Sequence, residues 1–183
     1  MNRSDEILQA TLQLIPQHGL GGIRISHIAQ QADCSPGIIY HYFASKDEII
    51  RTLGATVMAQ FGRSLDMDHL ETLAPFDRLK QAWLNTFHFF VNHPDETLFL
   101  EQYKNSPYYD GEVKDENMIR LIQVVSKDVS QGHLKNFPIE VMYEMTMTVA
   151  TALAKQVVRG QLTLDKAMVE AIATASCQAL MAT

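Results

Sequence analysis

Apolar residues return every three or four positions along nearly the whole chain, which is the period of one helix face and not of a strand. Leu8, Leu12 and Ile15 mark a first helix, Ile49, Leu53, Val57 and Phe61 a fourth, and Phe76, Leu79, Trp83, Phe87 and Phe90 a fifth. Met118, Ile122, Val125 and Val129 repeat further on, followed by Met142, Met145, Val149, Leu153 and Val157. No stretch keeps a two-residue alternation for long, so no sheet is expected. Breaks fall at Gly19 to Gly22, Pro75, Pro94, the run "NSPYYDG" at 105–111, Gly132, Pro138 and Gly160. Read together, these signals predict an all-α fold of about nine helices.

The first three helices are short and the later ones long, with the change near Ser45. Ser45 and Glu48 have the spacing of a capping box, which starts a new helix running to about Leu65. The expected division is a three-helix head, residues 1–45, on a helical body, residues 46–183. Within the head, "RISHIAQQA" carries Ile25, Ile28, Ala29 and Ala32 on one face and ends at Asp33, a residue that tolerates left-handed backbone. Ser35 then caps a third helix with Pro36 at its first position, where a missing N–H costs nothing. Two helices joined by about three residues make a helix-turn-helix.

At 100° per residue, Ile39 and Phe43 fall on the inward face of that third helix, with Tyr42 beside them. Gly37 and His41 point the opposite way, flanked by Ile38 and Tyr40. An outer face of Gly, Ile, Tyr and His suits a helix pressed into a DNA major groove. Gly37 permits close approach, Ile38 can meet a thymine methyl, and Tyr40 and His41 can bond bases or phosphates. Lys46 adds a positive charge at a helix start where a phosphate can sit.

The stretch "ISHIAQQADCSPGIIYHYFASKDEII" resembles the DNA-binding head of the TetR-type (TetR/AcrR) transcriptional regulators. The match runs through Ile28, Ala29, Ser35, Gly37, Tyr40, Phe43, Ser45, Lys46 and Ile49. It covers roughly residues 4 to 55, and the rest agrees in length and helical layout. The resemblance implies a homodimeric, usually repressing, operator-binding protein released by a small molecule. It also marks departures. Arg24 stands where the family commonly has a capping Thr or Ser, and its charge opposes the helix dipole unless a phosphate lies beside it. Asp33 replaces the usual turn Gly, and Pro36 stands where Lys or Arg often supplies a phosphate contact. Pro16 is expected to end or kink the first helix. The DNA-binding set is then Arg24, Ser35, Pro36, Gly37, Ile38, Tyr40, His41, Tyr42 and Lys46.

Charge tempers this picture. The chain has 15 basic and 21 acidic residues, a net −6, and up to Arg51 there are four basic against five acidic. Bulk attraction to nucleic acid is excluded as the main source of affinity. There is no apolar run long enough for a membrane span and no apolar leader after Met1, so a cytoplasmic protein is expected. Cys34 and Cys177 lack any metal-ligand or framework spacing and read as reduced thiols. His88 and His93 are five apart, poor spacing for a shared metal, and no metal or cofactor is expected.

The body offers Trp83, Phe87, Phe90, Tyr103, Tyr108, Met118, Met142 and Met145 as lining for an apolar pocket, with Tyr hydroxyls or His88 to orient a polar group. Ordinary core packing is the alternative for each. The last two segments, about 138–159 and 163–182, are rich in alanine, including Ala150, Ala154, Ala171, Ala173 and Ala175. Such helices pack closely, either in a two-fold four-helix seam or as an internal hairpin. No GxSxG, HExxH or phosphate-cradling Gly-rich loop is present, so an enzyme is not expected. The leading reading is a ligand-responsive regulator reading a palindrome-like operator as a homodimer, and its rivals are a DNA-bound scaffold without effector and an all-helical enzyme.

Overall fold

The computed structural model describes residues 2–182. Eleven α-helical segments follow one another: α1 Arg3–Gly22, α2 Ile25–Gln31, α3 Pro36–Tyr42, α4 Lys46–Ser64, α5 Met67–Leu70, α6 Pro75–Asn92, α7 Pro94–Lys104, α8 Glu116–Ser130, α9 Ile139–Tyr143, α10 Val149–Val158 and α11 Lys166–Gln178. A π-helical turn, Glu144–Thr148, joins α9 to α10 without a break. Counting that run as one helix and setting aside the single turn α5 leaves nine, as the periodicity predicts. One isolated bridge, Leu134 with Met181, is all the β pairing among the described residues. No helix there is long and apolar enough to cross a membrane.

Packing sorts the chain into two compact units. The first takes the chain up to Ala59 together with His93–Glu112; the second takes Gln60–Asn92 and the chain from Val113 onward.

In the first unit, α1 opens with a reciprocal cap. The Asn2 side chain accepts from the Asp5 N–H at 3.0 Å, and the Asp5 carboxylate accepts from the Asn2 N–H at 3.1 Å. The helix continues through Pro16, which is exposed, and breaks at Gly19, whose φ of 63° lies in the left-handed region. The break frees the Leu20 N–H, and it donates to Oε1 of Gln102 in α7 at 3.0 Å. The core here is Ile7, Leu8, Leu12 and Ile15 of α1, Ile28 of α2, Ile39 of α3, Ile49 and Leu53 of α4, and Phe99 and Tyr103 of α7. Tyr103 lies flat over Gly54 of α4, so close that a Cβ there would overlap ring carbons.

In the second unit α6 is the hub. Its buried side chains include Leu79, Ala82, Trp83, Phe87 and Phe90, and α10, α11 and the π turn all pack on it. Ala82, Ala150, Ala154 and Ala173 are fully buried, so these small residues serve close internal packing. Phe61, at the far end of α4, meets Phe89 and Phe90 with ring centroids 5.4 and 5.1 Å away. Asp115 caps α8 by accepting from the Met118 N–H at 3.1 Å, and its carboxylate rests on Gly62 of α4, where a side chain would collide with it. The buried Arg78 pairs with the buried Asp128 and donates to the carbonyls of Leu70 and Leu73 at 3.1 and 2.7 Å. Neither charge is left uncompensated.

Gly54→Ala tests the close approach of Tyr103. The added methyl favours helix by about 0.5–1 kcal/mol, while overpacking costs about 1–3 kcal/mol. Thermal unfolding is therefore expected to show a net loss of stability, and an unchanged or raised midpoint would contradict the geometry.

Candidate nucleic-acid interface

The turn before α3 is built by Asp33, whose φ of 47° takes the left-handed conformation that its side chain tolerates. That bend lets the Cys34 N–H donate to the Ala29 carbonyl at 2.9 Å and closes the end of α2. The Ser35 side chain accepts from the Ile38 N–H at 3.4 Å, and Pro36 occupies the first turn, as its fixed φ favours. Ile39 is fully buried and Phe43 almost so. Phe43 has already left the helix, with φ −137° and ψ 127°, yet its N–H still donates to the Ile39 carbonyl at 2.9 Å.

All the remaining side chains of α3 face outward. Gly37 and His41 are exposed, Ile38 is 38% exposed and Tyr40 57%. Neither the Tyr40 hydroxyl nor the His41 ring hydrogen-bonds to another described residue. Tyr42 departs from the wheel, which sets it beside the inward face: it is 45% exposed and meets the His41 ring edge-on at 5.2 Å. Because the helix ends at Tyr42, no following turn covers it, and Phe43 fills the inward position instead.

Two cations flank this face in sequence. Arg24 is the N-cap residue of α2 and is exposed; its side chain makes no cap bond, so the cap expected to be missing is missing. Lys46 begins α4, and its ammonium donates to the Ile23 carbonyl at 3.3 Å, which leaves two of its three N–H bonds for another partner. The Ser45 hydroxyl accepts from the Glu48 N–H at 3.1 Å, while the Glu48 carboxylate reaches one residue further than a standard capping box, to the Ala44 N–H at 2.6 Å.

The aromatic and methionine residues singled out in the body divide between the units. Trp83, Phe87, Phe90 and Met142 are buried in the second, with Met118 and Met145 half-buried there. Tyr103 and Tyr108 belong to the first: Tyr103 covers Gly54, and the Tyr108 carbonyl accepts from Arg51 of α4 at 2.7 Å. His88 is exposed, with its edge against Phe87, so it does not face the interior. Sequence reasoning missed Arg51, which also donates to the Pro107 carbonyl at 3.4 Å and so ties the segment after α7 to the start of α4. It missed the orphaned indole N–H of Trp83 as well. Both cysteines are free, and burial pushes the Cys177 thiol up to about 12.

This geometry has close relatives. Residues 7–53 match the family model for bacterial regulatory proteins of the tetR family, and residues 75–181, over half of the chain, match the tetracyclin repressor-like C-terminal domain. An uncharacterised HTH-type transcriptional regulator of Haemophilus influenzae is 26% identical over 151 residues, spanning 82% of this chain and 81% of its own. A TetR family transcription regulator from Marinobacter aquaeolei superposes with a TM-score of 0.88 at 18% identity, covering 99% of this chain and 96% of that one. The transcriptional regulator FadR from Bacillus subtilis, in complex with stearoyl-CoA, superposes at 0.71 with 17% identity and 97% coverage of both chains. With a helix-turn-helix whose outer face is unpartnered, and with both halves matching that family, the chain belongs to the TetR family of helix-turn-helix transcriptional regulators.

Proposed function

We propose that this regulator is a repressor that binds a palindrome-like operator as a homodimer and leaves it when its body takes up a small molecule. The observation that carries the proposal is the outer face of α3: Gly37, Ile38, Tyr40 and His41 are exposed together, and neither the Tyr40 hydroxyl nor the His41 ring is hydrogen-bonded within the described chain. In this reading residues 1–45 are the DNA-binding domain and residues 46–183 the ligand-binding and dimerisation domain. Tyr40 and His41 read base edges and neighbouring phosphates, with Ile38 against a thymine methyl and Tyr42 at the groove edge. Ser35, Pro36 and Gly37 bring the start of α3 close to the backbone, and Arg24 and Lys46 meet phosphates. An arginine at the N-cap of α2 opposes the helix dipole, and a phosphate partner removes that conflict.

For the effector, FadR in its stearoyl-CoA complex supports a body that takes up a small molecule. The pocket draws on Trp83, Phe87, Phe90, Met118, Met142 and Met145 of the second unit. For the dimer, α11 presents Ala167, Met168, Ala171 and Ala175 outward, with Met168 51% exposed, while Ala173 and Cys177 face inward. A stripe of small side chains beside one Met suits a second copy of the same helix. Two-fold pairing sets two recognition helices about one DNA turn apart.

Selection of bound fragments from random DNA with the purified protein supplies the operator, and fluorescence anisotropy then tests the surface. Tyr40→Ala and His41→Ala are each expected to weaken operator binding by about 1–3 kcal/mol and to relax sequence preference. Lys46→Ala is expected to weaken all sequences alike and to lower the salt slope by about one ion. Full specificity in both ring variants would remove α3 from the groove. Operator binding that no small molecule relieves would favour a scaffold without effector.

Ala171→Glu and Ala175→Glu test the seam. A charge buried without a partner in a two-fold bundle is expected to give monomers with reduced operator affinity. Light scattering that still finds an intact dimer for both would put the seam elsewhere.

A further inference from the structure

Among the described residues of the second unit, the buried polar side chains are satisfied with one exception. Arg78 and Asp128 hold each other, the Thr86 hydroxyl donates to the Ala82 carbonyl at 2.8 Å, and the Thr146 hydroxyl donates to the Met142 carbonyl at 2.7 Å. The Trp83 indole is fully buried, and its Nε1–H has no partner. An indole N–H can only donate, and interiors pair their donors as a rule because an unpaired one forfeits its hydration. Trp83 stacks on Phe87 at 5.6 Å with the rings 13° apart, and one turn along the same helix face Thr86 lies 3.4 Å from the Met147 sulfur. Met147 belongs to the π-helical turn, and π turns inside α-helices concentrate at functional sites. Met142 and Met147 are both buried here, and their unbranched side chains repack readily around a guest.

We infer that the Trp83 Nε1–H is the polar anchor of the effector site, and that the effector is a neutral, mainly apolar molecule carrying a carbonyl-type acceptor. The inference rests on the proposed effector-binding body and adds the chemistry it selects. A ligand amine would set donor against donor. A ligand carboxylate would bring a buried charge to a site whose neighbouring cations on α6 are already engaged, Arg78 by Asp128 and two carbonyls and Lys80 by Glu170. The indole stacks on the Phe87 ring, and the Thr86 hydroxyl on the same helix already has its proton engaged, so shape and one hydrogen bond carry the selection.

Trp83 is the single tryptophan of the chain, so its indole proton gives one resolved signal in protein labelled with ¹⁵N-tryptophan. The intact protein, free of DNA, is titrated with acetophenone, ethylbenzene and benzoate, three ring probes that differ in offering a neutral acceptor, none, or an anion. Acetophenone is expected to move the indole proton downfield and to bind about five-fold or more tightly than ethylbenzene. Benzoate is expected to leave the signal in place. Trp83→Phe, which keeps a ring and removes the donor, is expected to erase the preference for acetophenone over ethylbenzene. Equal binding of the two neutral probes, no movement of the signal by any probe, a shift with benzoate, or a preference surviving in Trp83→Phe would each overturn the assignment. Should that variant not fold, the wild-type titration decides alone. Because no DNA is present, failure of operator binding or of ligand release strikes the proposed function and leaves this result standing.

Discussion

A helix of seven residues is about half the length at which helices hold together in water on their own. α3 therefore exists only because its two ends and one side are fixed by the rest of the head. Asp33 turns the chain into it, Ser35 caps it and Pro36 pre-sets its first φ. Ile39 and Phe43 sink one side into the core formed with α1 and α2. Stability is confined to those positions. The side chains that remain are mostly exposed, so rings and an isoleucine stand in water where a surface helix ordinarily carries charge.

The body solves a different problem, which is how to bury aromatic bulk and still let helices come close. α6 supplies the bulk through Trp83, Phe87 and Phe90, and Ala150, Ala154 and Ala173 supply the gaps on the helices packed against it. Alanines on the inner faces of α10 and α11 let each helix pack on α6, while Ala167, Ala171 and Ala175 stay exposed on the outer face of α11. The 3.6-residue period separates the two sets.

Features set by neighbours in sequence could be read from it. The helical period, the Ser35–Pro36 start, the left-handed Asp33, the uncapped Arg24 and the inward Ile39 and Phe43 all follow from contacts within a few residues, and each stands in the structure as expected. Three features did not follow. Tyr42 turns outward because the helix ends on it, and a wheel assumes a helix that continues. α1 runs through Pro16 without ending there, and the Leu20 N–H freed by the break at Gly19 finds Gln102, 82 positions away in the chain. Tyr103 and Tyr108 join the first unit through Gly54 and Arg51, contacts of about fifty residues' separation that no local pattern announces. Gly54 was visible as a glycine inside a helix, and such a residue usually has a packing reason.

Electrostatics decides how such a head can hold DNA. The chain carries a net charge of −6, and its first 51 residues are themselves slightly acidic. With charges screened beyond about 8 Å at physiological salt, the cations that matter in the proposed complex are those beside the groove, and the two assigned there, Arg24 and Lys46, are few. Asp33 adds a negative charge near the same surface, and Pro36 adds none of the positive charge that a lysine would bring there. In the proposed reading, a single head of this kind binds DNA weakly. In the proposed dimer the second head binds from an effective concentration in the millimolar range, and two weak contacts become one firm one. That gain depends on the spacing of the two heads and on little else. A ligand that favours another spacing by about 1–3 kcal/mol, the usual size of allosteric coupling, removes the advantage without touching a DNA contact. A weakly charged recognition head is in this sense suited to release, because the affinity to be undone lies in the spacing of the pair.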